Sequence, residues 1–246
     1  MNKRLIGLVA ALGVTSTIVP VGDVLAQVDV EVTVLELPTR LHKPAWVVGD
    51  VPDTVWVLME AAVATGDEDR MKAMLVEAEG FARAAVVDHE DNVGRRFALA
   101  AVLGMRADRE GGRTKVKAAS ALHDELQVVL DLDPAHARAR YMMGRLHAGV
   151  RRMNGITRWL ATNLLGGATL KEASWELAEE HLRFAESTAP EVPDHHLQLA
   201  RVYEDTDRYR LAAGEIEHVL AMPATSPMEL EARAEALQML SDLESN

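Results

Sequence analysis

A chain of 246 residues without a single cysteine has no disulfide, no thiolate metal site and no thiol nucleophile. Its formal net charge of −12 argues against general nucleic-acid binding and favours basic or neutral partners. Only 4 % of the residues are aromatic, which argues against a sugar-stacking cleft.

The N-terminus reads as a targeting segment. Lys3 and Arg4 form a basic head, Leu5 to Val21 carries no charge, and Val24-Leu25-Ala26 sets up cleavage before Gln27. A signal peptide over residues 1–26 predicts an exported protein, periplasmic or secreted. The competing reading is a retained anchor, since the apolar run is near the lower length limit for a span. Gly7, Gly13, Pro20 and Gly22 make it a poor spanning helix, and there is no cysteine for a lipoprotein linkage. Cleavage removes two cations (Lys3, Arg4) and one anion (Asp23), so −12 becomes −13. The remainder, about 220 residues, is long enough for one domain with its own core.

Residues 27–52 do not read as helix. Val28, Val30, Val32 and Val34 alternate with polar residues, and Pro38, Pro44 and Pro52 interrupt the rest of the segment. An isolated strand has no partner in an otherwise helical chain, so an extended tether is expected. Addition of that strand to a partner's sheet is the functional alternative.

From Asp53 the period becomes helical. Val55, Leu58, Met59 and Ala62 share one face, and Gly66-Asp67 ends the run. Met71, Met74, Leu75, Ala78, Phe81, Ala82 and Ala85 mark a second helix; Phe97, Ala100, Leu103 and Gly104 mark a third. After a turn at Gly111-Gly112, a fourth carries Ala118, Leu122, Leu126 and Val129. It should stop near Leu132, because Pro134 disfavours helical geometry at Asp133. Tyr141, Met143, Gly144 and His147 open a helix whose partner carries Ala178, Leu182 and Ala185 before Pro190. Leu199, Ala200 and Tyr203 open the next, paired with Ala212, Ile216 and Val219 before Pro223. A final amphipathic, Glu-rich helix spans Met228 to Leu243, as a solubilising cap would.

Pro190 and Pro223 lie 33 positions apart, close to the tetratricopeptide period of about 34. Pro134 and Pro190 lie 56 apart, and the excess falls in Met153 to Leu170, between the two helices of one repeat. Gly144, Ala178, Ala185, Ala200 and Ala212 allow close helix approach while Leu, Met and Tyr fill the gaps. The expected fold is all-α, a tetratricopeptide-like α-solenoid of about four helix pairs plus a C-terminal capping helix, over residues 53–246.

The stretch YMMGRLHAGVRRMNGITRWLATNLLGGATLKEASWELAEEHLRFAESTAP, with HHLQLARVYEDTDRYRLAAGEIEHVLAMP after it, resembles the C-terminal half of the regulator of microtubule dynamics family. The likeness includes the inserted Trp-containing segment, here Gly155 to Gly167 with Trp159 and Leu165-Gly166. It extends more weakly back to about Val55. The resemblance implies an all-α binding scaffold without enzymatic activity. An exported chain would not meet microtubules, and no residue here encodes tubulin recognition.

Pro134 to Leu170 holds Arg138, Arg140, Arg145, Arg151, Arg152 and Arg158 and no acid. Arg138, Tyr141 and Arg145 fall on the concave side of their helix, and Arg201 takes the matching place one repeat later. These four are the candidate partner-binding residues, since guanidinium groups offer planar bidentate donors to carboxylates. The alternative is internal pairing with Glu172, Glu176, Glu179 and Glu180. Ile156 to Leu170 is expected to pack into the solenoid groove; the alternative is an interfacial helix with Trp159 at a membrane surface.

No catalytic residue, cofactor site or metal site is expected. The adjacent His195 and His196 point about 100° apart on a helix, the wrong geometry for one ion. Asp88-His89-Glu90-Asp91 more simply ends one helix and starts the next. There is no HExxH, EF-hand, GxSxG, P-loop or dinucleotide fingerprint. The function read from the sequence is a non-enzymatic exported scaffold that binds a protein or peptide along an Arg-bearing groove. The alternative is a membrane-associated scaffold, held by an uncleaved N-terminal segment or by residues 156–170. An enzyme is the third and weakest reading.

Overall fold

Helix starts follow local capping chemistry. In a computed structural model that describes residues 49–225 and 227–244, Asp67, Asn92, Asn154 and Ser174 each accept a hydrogen bond from the backbone N–H three residues on. Such caps satisfy donors that the first turn leaves unpaired and contribute about 1 kcal/mol each. They precede α2 (Glu68–Asp88), α3 (Val93–Arg109), α6 (Gly155–Asn163) and α7 (Trp175–Thr188). His136 caps α5 (Ala137–Arg152) through its ring Nδ1, and α8 (Pro193–Asp205) begins on a proline. The remaining helices are α1 (Asp53–Ala64), α4 (Gly112–Leu132), α9 (Tyr209–Ala221) and α10 (Pro227–Glu244).

Helix ends follow the prolines. α4, α7 and α9 stop at Leu132, Thr188 and Ala221, each two residues before Pro134, Pro190 or Pro223. The residue before each proline is kept out of helical geometry by its ring. These three are the second helices of their pairs, so the same steric rule punctuates every repeat it reaches.

The packing is a sequence of antiparallel pairs. α1 packs on α2, α3 on α4, α5 on α7 and α8 on α9, and α10 closes against α9 and α8. That gives four helix pairs and a cap, all helical among the described residues. The fold is an all-α, tetratricopeptide-like solenoid. Its largest core cluster joins Val55, Trp56, Ala82, Leu99, Leu103 and Leu126 with Met143 of the adjoining pair. Separate clusters serve the later pairs: Ala178, Leu182, Leu199 and Tyr203 in one, Ala200, Ile216, Ala236 and Met239 in the next.

Gly144 shows how tight a pair is. A Cβ there would meet Leu182 Cγ at 2.7 Å and the Ala178 carbonyl at 3.0 Å, so α5 and α7 touch backbone to side chain. Two further features extend the sequence reading. Asp50 pairs with Arg95 at 2.7 Å and Val51 is buried in the core, so the last residues before α1 dock on the domain. The proposed signal peptide and most of the tether, residues 1–48, lie outside the described residues.

The insert corrects one expectation. It forms α6 and a 3₁₀ turn at Ala168–Glu172, but α6 does not bury its large apolar side chains. Ile156, Trp159 and Leu164 are 77 %, 56 % and 57 % exposed, and Leu160 is exposed beside them. The buried residues of α6 are Ala161 and Thr162. The reason is what it packs on. The Gly167 N–H donates to the Ala161 carbonyl, and its Cα leaves only 2.9 Å between an added Cβ and Val116 of α4. α6 packs chiefly on the 3₁₀ turn and that turn packs on α4, so α6 lies outermost with its bulky face toward solvent. Among the described residues no helix is long and apolar enough to cross a membrane.

Candidate functional site: a concave groove

α5 presents one face to a groove of about 1180 Å³. Arg138, Tyr141, Met142, Arg145, Leu146 and Gly149 follow the i, i+3, i+4 rhythm of a single helical stripe, and all line it. Behind them Ala139, Met143 and His147 are buried. The floor comes from α1, α3 and α4, with Met59, Val63, Phe97, Met105 and Leu122. Four methionines (Met59, Met105, Met142 and Met153) line it, and their flexible thioethers adapt to differently shaped occupants.

The polar groups at its wall link successive repeats. The Tyr141 hydroxyl donates to the Asp194 carboxylate of α8, and its ring packs 5.0 Å from His195. The Arg145 guanidinium lies 5.7 Å over the Tyr141 ring and 3.9 Å from Asp108 of α3. Arg152 donates to Asp205 at 2.7 Å. Burial pulls Arg138 down from its ordinary pKa without removing its charge, and holds His195 below the usual imidazole range. Arg145 differs from its neighbours: its side chain is 45 % exposed, and its ion pair with Asp108 is long. It is the wall cation best placed to meet a ligand.

Three of the four sequence-derived residues therefore converge. Arg138, Tyr141 and Arg145 line the groove. Arg201 is not among its lining residues; it pairs with Glu235 of α10. The acids foreseen as internal partners are engaged elsewhere in part, since Glu179 meets Arg208 at 2.7 Å and Arg183 at 3.5 Å. The wall arginines Arg145 and Arg152 pair with Asp108 and Asp205 on the neighbouring first helices instead. Sequence reading missed the methionines and Lys115, which look like ordinary core and surface positions until the repeats stack.

Two histidine groups lie away from the groove. His147 is buried, stacks on His181 at 5.7 Å and meets His123 edge-on at 6.2 Å. Burial, then the neighbouring His181 and His123, push its pKa down to about 4. His196 is buried between Glu215 and the Pro190 carbonyl, and its ring stacks on His218. Burial opposes its charge, but those acceptors outweigh it and raise its pKa. Glu186, His196 and Glu215 are the described residues whose donor atoms gather closely enough to hold a metal ion.

Stacked helix pairs enclosing an apolar concave groove define a tetratricopeptide-type scaffold, a class suited to binding protein. The sequence model of the Regulator of microtubule dynamics protein 1-3 family matches residues 50–244, and the chain belongs to that family. No curated protein sequence matches it. Among solved structures, the crystal structure of MamA is similar with a TM-score of 0.43 and 16 % identity, over 73 % of this chain and 92 % of that one.

Proposed function

We propose that this protein is a non-enzymatic, exported scaffold that holds a peptide or helical segment of a partner protein in the groove. The occupant presents apolar side chains to the methionine-lined floor and acidic groups to Arg145 and Arg138. The observation that carries this reading is the single stripe of α5, which places both cations above an apolar floor. A volume of about 1180 Å³ is larger than the ~300–1,000 Å³ typical of small-molecule pockets, and a helix laid in a groove matches it better. Export rests on the signal-like residues 1–26.

Capture from a secreted or periplasmic extract by the wild-type domain and by Arg145→Glu tests it. The partner's affinity should fall about tenfold with the charge reversal and should weaken with salt, because exposed charges are screened within ~10 Å at 0.1 M. Undiminished binding by Arg145→Glu, with a lowered melting point, assigns the arginine to internal pairing and retires the groove reading.

A second reading is favoured by the outward face of α6. Ile156, Trp159, Leu160 and Leu164 form an exposed apolar stripe, with Arg151, Arg158 and Lys171 close to Trp159. That combination suits shallow contact with an anionic membrane surface.

A further inference from the structure

Three helices converge on one point outside the groove. Glu186 of α7, His196 of α8 and Glu215 of α9 bring three donor atoms within 4.8 Å of one another. His196 Nδ1 lies 2.7 Å from Glu215 Oε2 and 3.8 Å from Glu186 Oε1. The other ring nitrogen, Nε2, lies 2.9 Å from the Pro190 carbonyl oxygen. A carbonyl only accepts, so the tautomer that satisfies it donates from Nε2. Nδ1 faces the two carboxylates and, in that tautomer, offers its lone pair to an ion held between them. Metal-bound imidazoles are held in the same manner, with the far N–H donated to a fixed acceptor.

The surroundings hold that ring in place. His196 is 1 % exposed, and its face stacks on His218 with centroids 4.4 Å apart and planes 18° apart. Glu186 and Glu215 stay partly open to solvent, which leaves an entry path for an ion. One imidazole and two carboxylates with an open fourth position form a donor set that zinc accepts, water completing the tetrahedron.

We propose that Glu186, His196 and Glu215 bind one divalent transition-metal ion, zinc foremost. The ion sits between Nδ1 and the two carboxylates, on the side of the ring away from the Pro190 carbonyl. Its effect is structural: it ties the second helix of the third pair to both helices of the fourth, which already share the cluster of Ala178, Leu182, Leu199 and Ala212. The inference is independent of what the groove binds.

Calorimetric titration of the metal-free protein with zinc chloride tests this, alongside cobalt(II) absorption and melting in zinc against melting in chelator. The expected result is one ion per chain, a tetrahedral cobalt band, and a melting temperature raised by several degrees. Glu186→Gln and Glu215→Gln keep size and shape, so they should fold. Each should bind zinc at least tenfold more weakly and lose the cobalt band. Equal zinc affinity in wild type and both variants overturns the proposal, as does several weak ions per chain without the band. Those outcomes leave the cluster as a histidine hydrogen-bonded to Glu215 with Glu186 beside it.

Discussion

At the scale of single residues, burial lowers the pKa of His136, His147, His181 and His195. The Nδ1 atom of His147 is buried without a hydrogen-bond partner among the described residues, and its pKa is held at about 4. The unfolded chain binds a proton near pH 6.5 that the folded one refuses. Stability is therefore complete above about pH 6.5 and falls as pH drops toward 4, by on the order of 2–3 kcal/mol. His147→Leu should flatten the urea midpoint between pH 7 and 4.5 while changing stability at pH 7 little, because an unpaired polar atom is removed. An undiminished pH slope in that variant would place the acid sensitivity elsewhere. Gly144→Leu meets Leu182 and the Ala178 carbonyl directly, so it should cost about 1–3 kcal/mol or more by overpacking. A melting curve matching wild type would mean that α5 and α7 can separate freely.

At the scale of elements, α6 is the departure from the repeat. Its neighbours hide their large side chains, whereas α6 docks through Ala161 and Thr162 and leaves Trp159 outside. If α6 touches membranes, the protein should sediment with anionic vesicles and not with neutral ones. Trp159→Ala should abolish most of that binding, since Trp159 is the largest group of the exposed face. Equal sedimentation of the variant would leave α6 as a protein-facing surface. The capping helix α10 has a comparable division: Ala236 and Met239 are buried, Leu230 and Leu237 are exposed, and Glu235 meets Arg201. The cap thereby engages the arginine that was expected as a further groove cation.

At the scale of the molecule, the core runs along the stack in overlapping stretches: one cluster reaches from α1 to α5, the next from α5 to α9, and the last from α8 to α10. The described residues fall in one compact unit, and its N-terminal edge is pinned by Asp50–Arg95 and by buried Val51. The tether reading of the sequence predicts where proteolysis acts. Limited digestion should cut between Gln27 and Pro52 and spare the solenoid. Mass spectrometry should find a mature N-terminus at Gln27. An intact N-terminus would favour the retained anchor, and protection of the segment would show that it docks.

The sequence by itself determined the helix pairs, their ends and their number. Those features depend on neighbours within a few residues: a proline ring blocks helical geometry at the residue before it, a side-chain oxygen caps three residues on, and a 3.6-residue period selects a buried face. Hence the stops at Leu132, Thr188 and Ala221 and the stripe through Arg138, Tyr141 and Arg145 were legible. The excess between Pro134 and Pro190 likewise located the insert. Tertiary packing alone decided which face of α6 turned inward, because that depended on how the 3₁₀ turn after it docked on α4. It alone placed Met59 and Met105 in the groove and covered Arg201 with Glu235. It alone gathered Glu186, His196 and Glu215, three residues whose spacing along the chain matches no ligand motif. Contacts between separate helices depend on the volumes of side chains far apart in sequence, and no local pattern records them.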